Sequence, residues 1–405
     1  MKRKKMAALP LIGVMALAGC AGDTGAGSDD TLTWSMWIGS TADQEAWEAV
    51  GDVGAEASGK NISLQGSPFA DYWTKLSTQL GTSNAPCIVS MQSLRLNQFS
   101  DGLLSLSDLL EDADVDLSEF DEGALTALAL DGEQYALPYD TGPLILFYNK
   151  DAFTDAGVDE PQPGWTVDEF EAAAEALDAS GHVAFGTTVE DIYLESTLLA
   201  YNGAQVVSED GTIDLEDPAV AEGFEWISGL VGDGYASKAN GPDASADDNA
   251  FISGDVASVV GGPWLLLDFA DKADFDLGVA TIPAGAGGGQ TYTAGSGFGI
   301  SSTCSDPEAA LEAILAMTSE DVLSDLAEQG RAFPARTASQ SVWYEGSGIE
   351  GAQDTFEAAL ESAIPLPGSA QSDQLNQLLA QYGAQAINGD QPAADVLAEI
   401  ASQLN

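Results

Sequence analysis

The sequence predicts an α/β protein of two lobes that the chain crosses more than once. Three observations carry this. Residues 31–91 read as strand, helix, strand, helix, strand. The stretch 135–153, YALPYDTGPLILFYNKDAF, then interrupts the pattern with two prolines around a short apolar run. Beyond it, strands and helices alternate again. Such alternation implies mostly parallel sheets flanked by helices. In sheets of this kind ligands bind beyond the carboxyl ends of the strands.

Residues 31–38, TLTWSMWI, alternate and are rich in β-formers, which predicts the first strand. Thr41 to Gln44 has capping-box spacing and opens a helix through Trp47 and Val50. Asn61 to Gln65 predicts a second strand, and Asp71 to Leu80 a helix through Tyr72, Lys75, Leu76 and Leu80. Residues 87–91, CIVSM, predict a third strand. The positions just past strand ends, Trp37 to Ser40 and Gln92 to Arg95, are therefore candidates for ligand contact.

In the central stretch, Leu137 to Asp140 reads as a Pro-containing turn. Leu144 to Tyr148 is too short for a helix and predicts a buried strand opening the second lobe. Tyr139, Asp140 and Thr141 fall in the connection, where functional residues concentrate. A second capping box, Thr166 to Glu169, precedes Phe170, Ala173, Ala174 and Leu177 at helical spacing. Val183 to Thr187 predicts a strand, and Tyr193 to Leu199 a helix ending at Asn202 and Gly203. Asp217 and Pro218 start a helix carrying Val220, Phe224, Ile227 and Val231. Ala246 to Gly254 is amphipathic, and strands are predicted at Val256 to Val260, at Leu277 to Ile282 and in the segment through Gly295 to Ile300. Ser305 to Glu308 reads as a capping box before a helix through Leu315. The tail from Asp373 predicts two helices separated at Asn388 to Asp390.

Charge excludes one large class of partner. Basic residues number 12 against 65 acidic ones, and four of the 12 (Lys2, Arg3, Lys4 and Lys5) precede the apolar segment Met6 to Leu17. A nucleic-acid partner requires a Lys/Arg face that this chain lacks. The acidic surface keeps copies apart in solution, which favours a monomer. The basic start, the apolar segment of about a dozen residues and the small residues after it read as a signal peptide over residues 1–19, too short to span a bilayer. Its ending, Leu17-Ala18-Gly19-Cys20, resembles the lipobox of bacterial lipoproteins. That resemblance implies that Cys20 becomes the N-terminus and carries acyl chains of the palmitate type, with residues 20–30 as a flexible tether. The protein would then be exported and held on the outer face of the cell membrane by lipid alone. The two remaining cysteines, Cys87 and Cys304, read as one disulfide in an exported chain or as two buried thiols.

Seven stretches in order resemble the extracellular solute-binding proteins of bacterial ABC importers, in the sugar-receptor group that includes the maltose-binding protein. They are TLTWSMW, YWTKLSTQLGTSNAPCIVSM, the central YALPYDTGPLILFYNKDAF, GWTVDEFEAAAEAL, FISGDVASVVGGPW, AGSGFGISSTCSDPEAALEAIL and the INGDQPAADVLAEI tail. The resemblance implies a two-lobed periplasmic-binding-protein fold, type II-like. It places hinge crossings near Asp140 to Leu144, Tyr292 to Ser296 and Phe333 to Arg336. The lobes would be residues 31–141 plus 295–335 and residues 142–294 plus 336–405. A departure from the family is Cys87, where many relatives carry Asp after the proline; with Cys304 it favours the disulfide.

A sugar receptor needs aromatic surfaces for ring faces and polar groups for hydroxyls. The family resemblance points to Trp264 and Tyr193 as pocket aromatics. Trp37, at a strand end, reads equally as wall or packing, and Phe333 is a further candidate. Polar candidates are Gln92, Arg95, Asp140, Thr141 and Ser296; Arg95 reads equally as half of an ion pair across the cleft. Trp34, Trp47, Trp73, Trp165 and Trp226 read as packing. The lone His182 has no partner motif, a His/Cys metal site is excluded by count, and no cofactor is implied. The expected function is a non-enzymatic, lipid-anchored receptor that passes a sugar or oligosaccharide to ABC permease subunits. A polyamine or peptide receptor of the same fold is the alternative, and a surface glycoside hydrolase a more distant one.

Overall fold

The structure, a computed structural model, describes residues 30–241 and 246–404. The signal peptide, Cys20 and nearly all of the tether lie outside the described residues.

The strands Thr31–Trp37, Asn61–Ser67 and Ile88–Gln92 run parallel, joined by the helices Thr41–Ser58 and Phe69–Gln79. Their sheet has five strands, completed by Ser296–Ile300 and Ala136–Asp140, with Ser296–Ile300 antiparallel to both neighbours. Period-two alternation divides the side chains between two layers. Ile88 joins Trp34, Trp47, Phe298 and Ile314 on one face, while Val89 and Met91 join Tyr72, Trp73 and Phe99 on the other.

The second sheet is built on Ile145–Asn149, with Ser258–Gly261 on one side and Leu277–Ala280 on the other. Leu146 and Tyr148 face one core, Ile145 and Phe147 another. Burial on both faces explains the unbroken apolar run from Leu144 to Tyr148, every residue of which is buried. Both flanking strands are antiparallel to Ile145–Asn149. The α/β class stands, but rather than mostly parallel the five-stranded sheet is mixed and the three-stranded sheet is antiparallel. Ile145–Asn149 enters the second lobe at the centre of its sheet, and the strands on both sides run back the other way. Of the predicted strand at 183–187, only isolated bridges at Val183 and Phe185 form.

Helix starts follow the sequence, with two shifts. The capping box at Thr166 and Glu169 is complete, and Asp217 caps a helix with Pro218 in its first turn. At the first helix, Ser40 rather than Thr41 is the cap, and in the later motif Asp306 rather than Ser305. Cys87 and Cys304 are bonded, with Cα atoms 4.7 Å apart. The bridge joins the start of Ile88–Gln92 to the turn after Ser296–Ile300, where Ile88 and Ile300 already pair.

Candidate functional site

Three chain segments pass side by side between the two sheets. The Thr141 N–H donates to the Phe333 carbonyl at 2.9 Å, and the Ala335 N–H to the Tyr139 carbonyl at 3.1 Å. The Leu144 N–H donates to the Tyr292 carbonyl at 2.9 Å, and the Ala294 N–H to the Gly142 carbonyl at 3.1 Å. Bridges at Asp140 with Pro334 and at Pro143 with Thr293 complete this ribbon. Gly295 sits against the Asp140 carbonyl so closely that a Cβ would collide with it.

Asp140 belongs to this ribbon. Its Oδ1 accepts the Ser296 N–H at 2.5 Å. Burial pushes its carboxyl up to about 7, although the Ser296 hydrogen bonds pull the other way. The folded pKa is therefore above the unfolded value, so the folded chain keeps a proton that the unfolded chain has released. This contribution to stability is complete below the ordinary carboxylate range and is lost as pH rises through about 7. Asp140→Asn should match the parent in thermal midpoint in mild acid and exceed it above neutrality. Melting curves across pH check this; parallel profiles for the two proteins would show that Asp140 titrates normally.

The cavity lies beyond the carboxyl ends of the three parallel strands. After Ser67 the chain turns through Pro68 into Phe69–Gln79, which brings Phe69 and Trp73 to the opening. After Gln92 a single 3-10 turn, Ser93–Arg95, delivers the buried Arg95. The cavity measures about 330 Å³. Its first wall is Phe69, Trp73 and Arg95; the opposite wall includes Thr187 to Glu190, Asp247 and Asp373. The Arg95 guanidinium lies 4.7 Å from the Trp73 ring centre and pairs with Asp373 across the opening. Gln98 Nε2 donates to Asp373 Oδ2 and Asn97 Nδ2 to the Gly368 carbonyl, both at 2.9 Å. Trp73 is only 5% exposed, yet its Nε1–H has no hydrogen-bond acceptor among the described residues.

The residues expected from sequence separate into five groups. Arg95 lines the cavity, already paired with a carboxylate. Trp37 stands behind the wall, its ring edge-on to Phe69 and Tyr72 at 5.7 and 5.3 Å between centres. Gln92, Asp140, Thr141 and Ser296 cluster at the ribbon, where Ser296 lies opposite both Gln92 and Asp140 in register. Tyr193 and Trp264 form a pair in the second lobe, the Trp264 Nε1–H donating to the Tyr193 hydroxyl at 3.0 Å. Phe333 is a correction: it is fully buried against Trp343, Tyr344 and Phe356, so only its carbonyl contributes, as part of the ribbon.

Sequence reasoning missed Phe69, Glu190, Asp247 and Asp373 and assigned Trp73 to packing alone. The signal for Phe69 and Trp73 was available, since their helix starts directly beyond the second strand.

The sequence profile described as bacterial extracellular solute-binding protein matches residues 48–349. A putative binding protein of Brucella abortus is 31% identical over 182 residues, covering 43% of this chain and 44% of that protein. The chain thus matches less than half the length of this relative. The diacetylchitobiose binding protein DasA of Streptomyces coelicolor is 26% identical over 404 residues, covering 93% of this chain and 89% of that one. Among solved structures, an ABC substrate-binding protein of Listeria monocytogenes in complex with cycloalternan superposes with a TM-score of 0.81 at 22% identity, covering 93% and 98% of the two chains. The GacH receptor of Streptomyces glaucescens, solved unliganded and with acarbose, gives 0.77 at 25% identity, covering 92% and 97%.

Proposed function

Because the chain belongs to the bacterial extracellular solute-binding protein family, we propose that it is a receptor that closes two lobes on a sugar or oligosaccharide and delivers it to ABC permease subunits. Members of this family bind rather than transform their ligands, and the chain is a binding protein, not an enzyme. The observation that carries the sugar reading is the cavity wall of Phe69 and Trp73 facing carboxylates and threonines. Aromatic rings offer a surface for the apolar face of a sugar ring, and the polar groups meet its hydroxyls. Relatives described as binding diacetylchitobiose, maltodextrin and lactose support it.

The lobes are residues 31–141 plus 295–335 and residues 142–294 plus 336–405, with the three-segment ribbon as hinge. Arg95 contacts ligand directly, Trp37 backs the aromatic wall, and Tyr193 and Trp264 extend the opposite side. Gln92, Asp140, Thr141 and Ser296 couple the cleft to the hinge. The mature protein is a monomer, exported and held to the membrane through lipidated Cys20.

Isothermal titration of the mature chain with neutral mono-, di- and oligosaccharides tests the reading. Saturable one-to-one binding of at least one sugar is expected. Binding of a polyamine or peptide with no response to any sugar would overturn it.

A further inference from the structure

We propose that the cleft selects sugars bearing a protonated amino group over neutral or acidic sugars of the same skeleton. The inference rests on the sugar reading and narrows its ligand class. Among the described residues, the charged groups lining the cavity are Glu190, Asp247 and Asp373 against a single base, Arg95. Arg95 pairs with Asp373 across the opening and lies over the Trp73 ring, so its charge is already matched inside the cavity. An incoming carboxylate or phosphate would therefore meet an excess of negative charge. An incoming ammonium would find carboxylates for charge-assisted hydrogen bonds and aromatic faces for cation–π contact.

The wall is also built to hold this charge out of bulk water. Asp247, in the wall, is 5% exposed, and behind the lining Glu195, on the helix that follows Glu190, is 2% exposed. Asp248 Oδ1 is buried without a hydrogen-bond partner among the described residues. Burial raises the pKa of the Tyr193 hydroxyl, and Glu190, Asp248 and Asp247 add to that rise. Burial and the neighbouring Asp247 push the Asp248 carboxyl up to about 7. Asp268 adds to that push, and Lys272, the base that opposes it, is itself paired with Asp268. Like charges crowded in low dielectric are costly. A neutral sugar offsets that cost only through hydroxyl hydrogen bonds, whereas a bound cation offsets it directly.

The test is isothermal titration with matched disaccharides in amino, neutral and uronic-acid form. It uses gluco and galacto configurations with α- and β-linkages, below the pKa of the amine. The amino member should bind about tenfold tighter than its neutral match at low salt, and the acid should bind weakest. High salt should shrink the amino advantage severalfold while leaving neutral affinity nearly unchanged. Glu190→Gln and Asp247→Asn should each narrow the ratio of amino to neutral affinity. Equal or weaker binding of the amino form, with a neutral sugar still bound, overturns this inference and leaves the sugar reading standing. No binding by any member overturns this inference, and no response to the mono- and oligosaccharides as well overturns the sugar reading too.

Discussion

Trp73→Ala should weaken sugar binding by about 30-fold or more, the loss expected when a central aromatic anchor is truncated. Trp73 forms part of the cavity wall and carries the Arg95 guanidinium on its ring. It also packs against Trp37, Tyr72 and Phe99 at 5.6, 4.8 and 5.8 Å between centres. Removing it opens the wall and frees Arg95 to move. The same truncation empties buried space and should cost about 3–5 kcal/mol of stability. Trp73→Phe separates the two effects. It keeps a ring in the cluster, so it should recover most of the thermal midpoint while still lacking the indole Nε1–H. Titration and melting of the three proteins check this. An unchanged dissociation constant in Trp73→Ala would remove this cavity from the binding site.

The double variant Cys87→Ser, Cys304→Ser should lose about 2–4 kcal/mol of stability. The bridge spans a sequence separation of 217, so it forbids many unfolded conformations of the chain. In the native state the cysteines are already neighbours. Ile88 pairs with Ile300, and the Ser301 N–H donates to the Cys87 carbonyl at 2.9 Å. The loss should therefore appear in the unfolding midpoint and leave sugar affinity unaltered, since the bridge sits at the end of the sheet away from the cavity. Denaturant melts with and without reductant measure it. Equal stability of the oxidised, reduced and Ser forms would contradict the assignment.

The parts of this molecule that were legible in the sequence are those fixed by short-range pattern. Alternation in residues 31–38 and the apolar run at 144–148 gave strands because one faces two chemically different layers and the other two apolar ones. Thr166 with Glu169, and Asp217 with Pro218, gave helix starts because capping is local chemistry. The cleft is not local. Trp73 follows Tyr72 on one helix, and both are buried aromatics; only the helix's angle to the strand ends decides which lines the opening. Asp373 reaches Arg95 from 278 positions along the chain, and Asp247 lies in yet another segment. Phe333 followed the opposite path: it was expected to face ligand, but its side chain turns into the core and leaves only its carbonyl to the ribbon.

In the proposed binding mode the solute sits beyond the strand ends, between Trp73 and Arg95 on one side and Glu190 and Asp247 on the other. A crystal structure of the mature chain with the tightest-binding sugar of the titration panel tests it most directly. A sugar ring against Trp73, with polar contacts to Arg95 or Asp373 and to the opposite wall, is the predicted result. Sugar bound on another face, with this cavity left unfilled at saturating ligand, would contradict it.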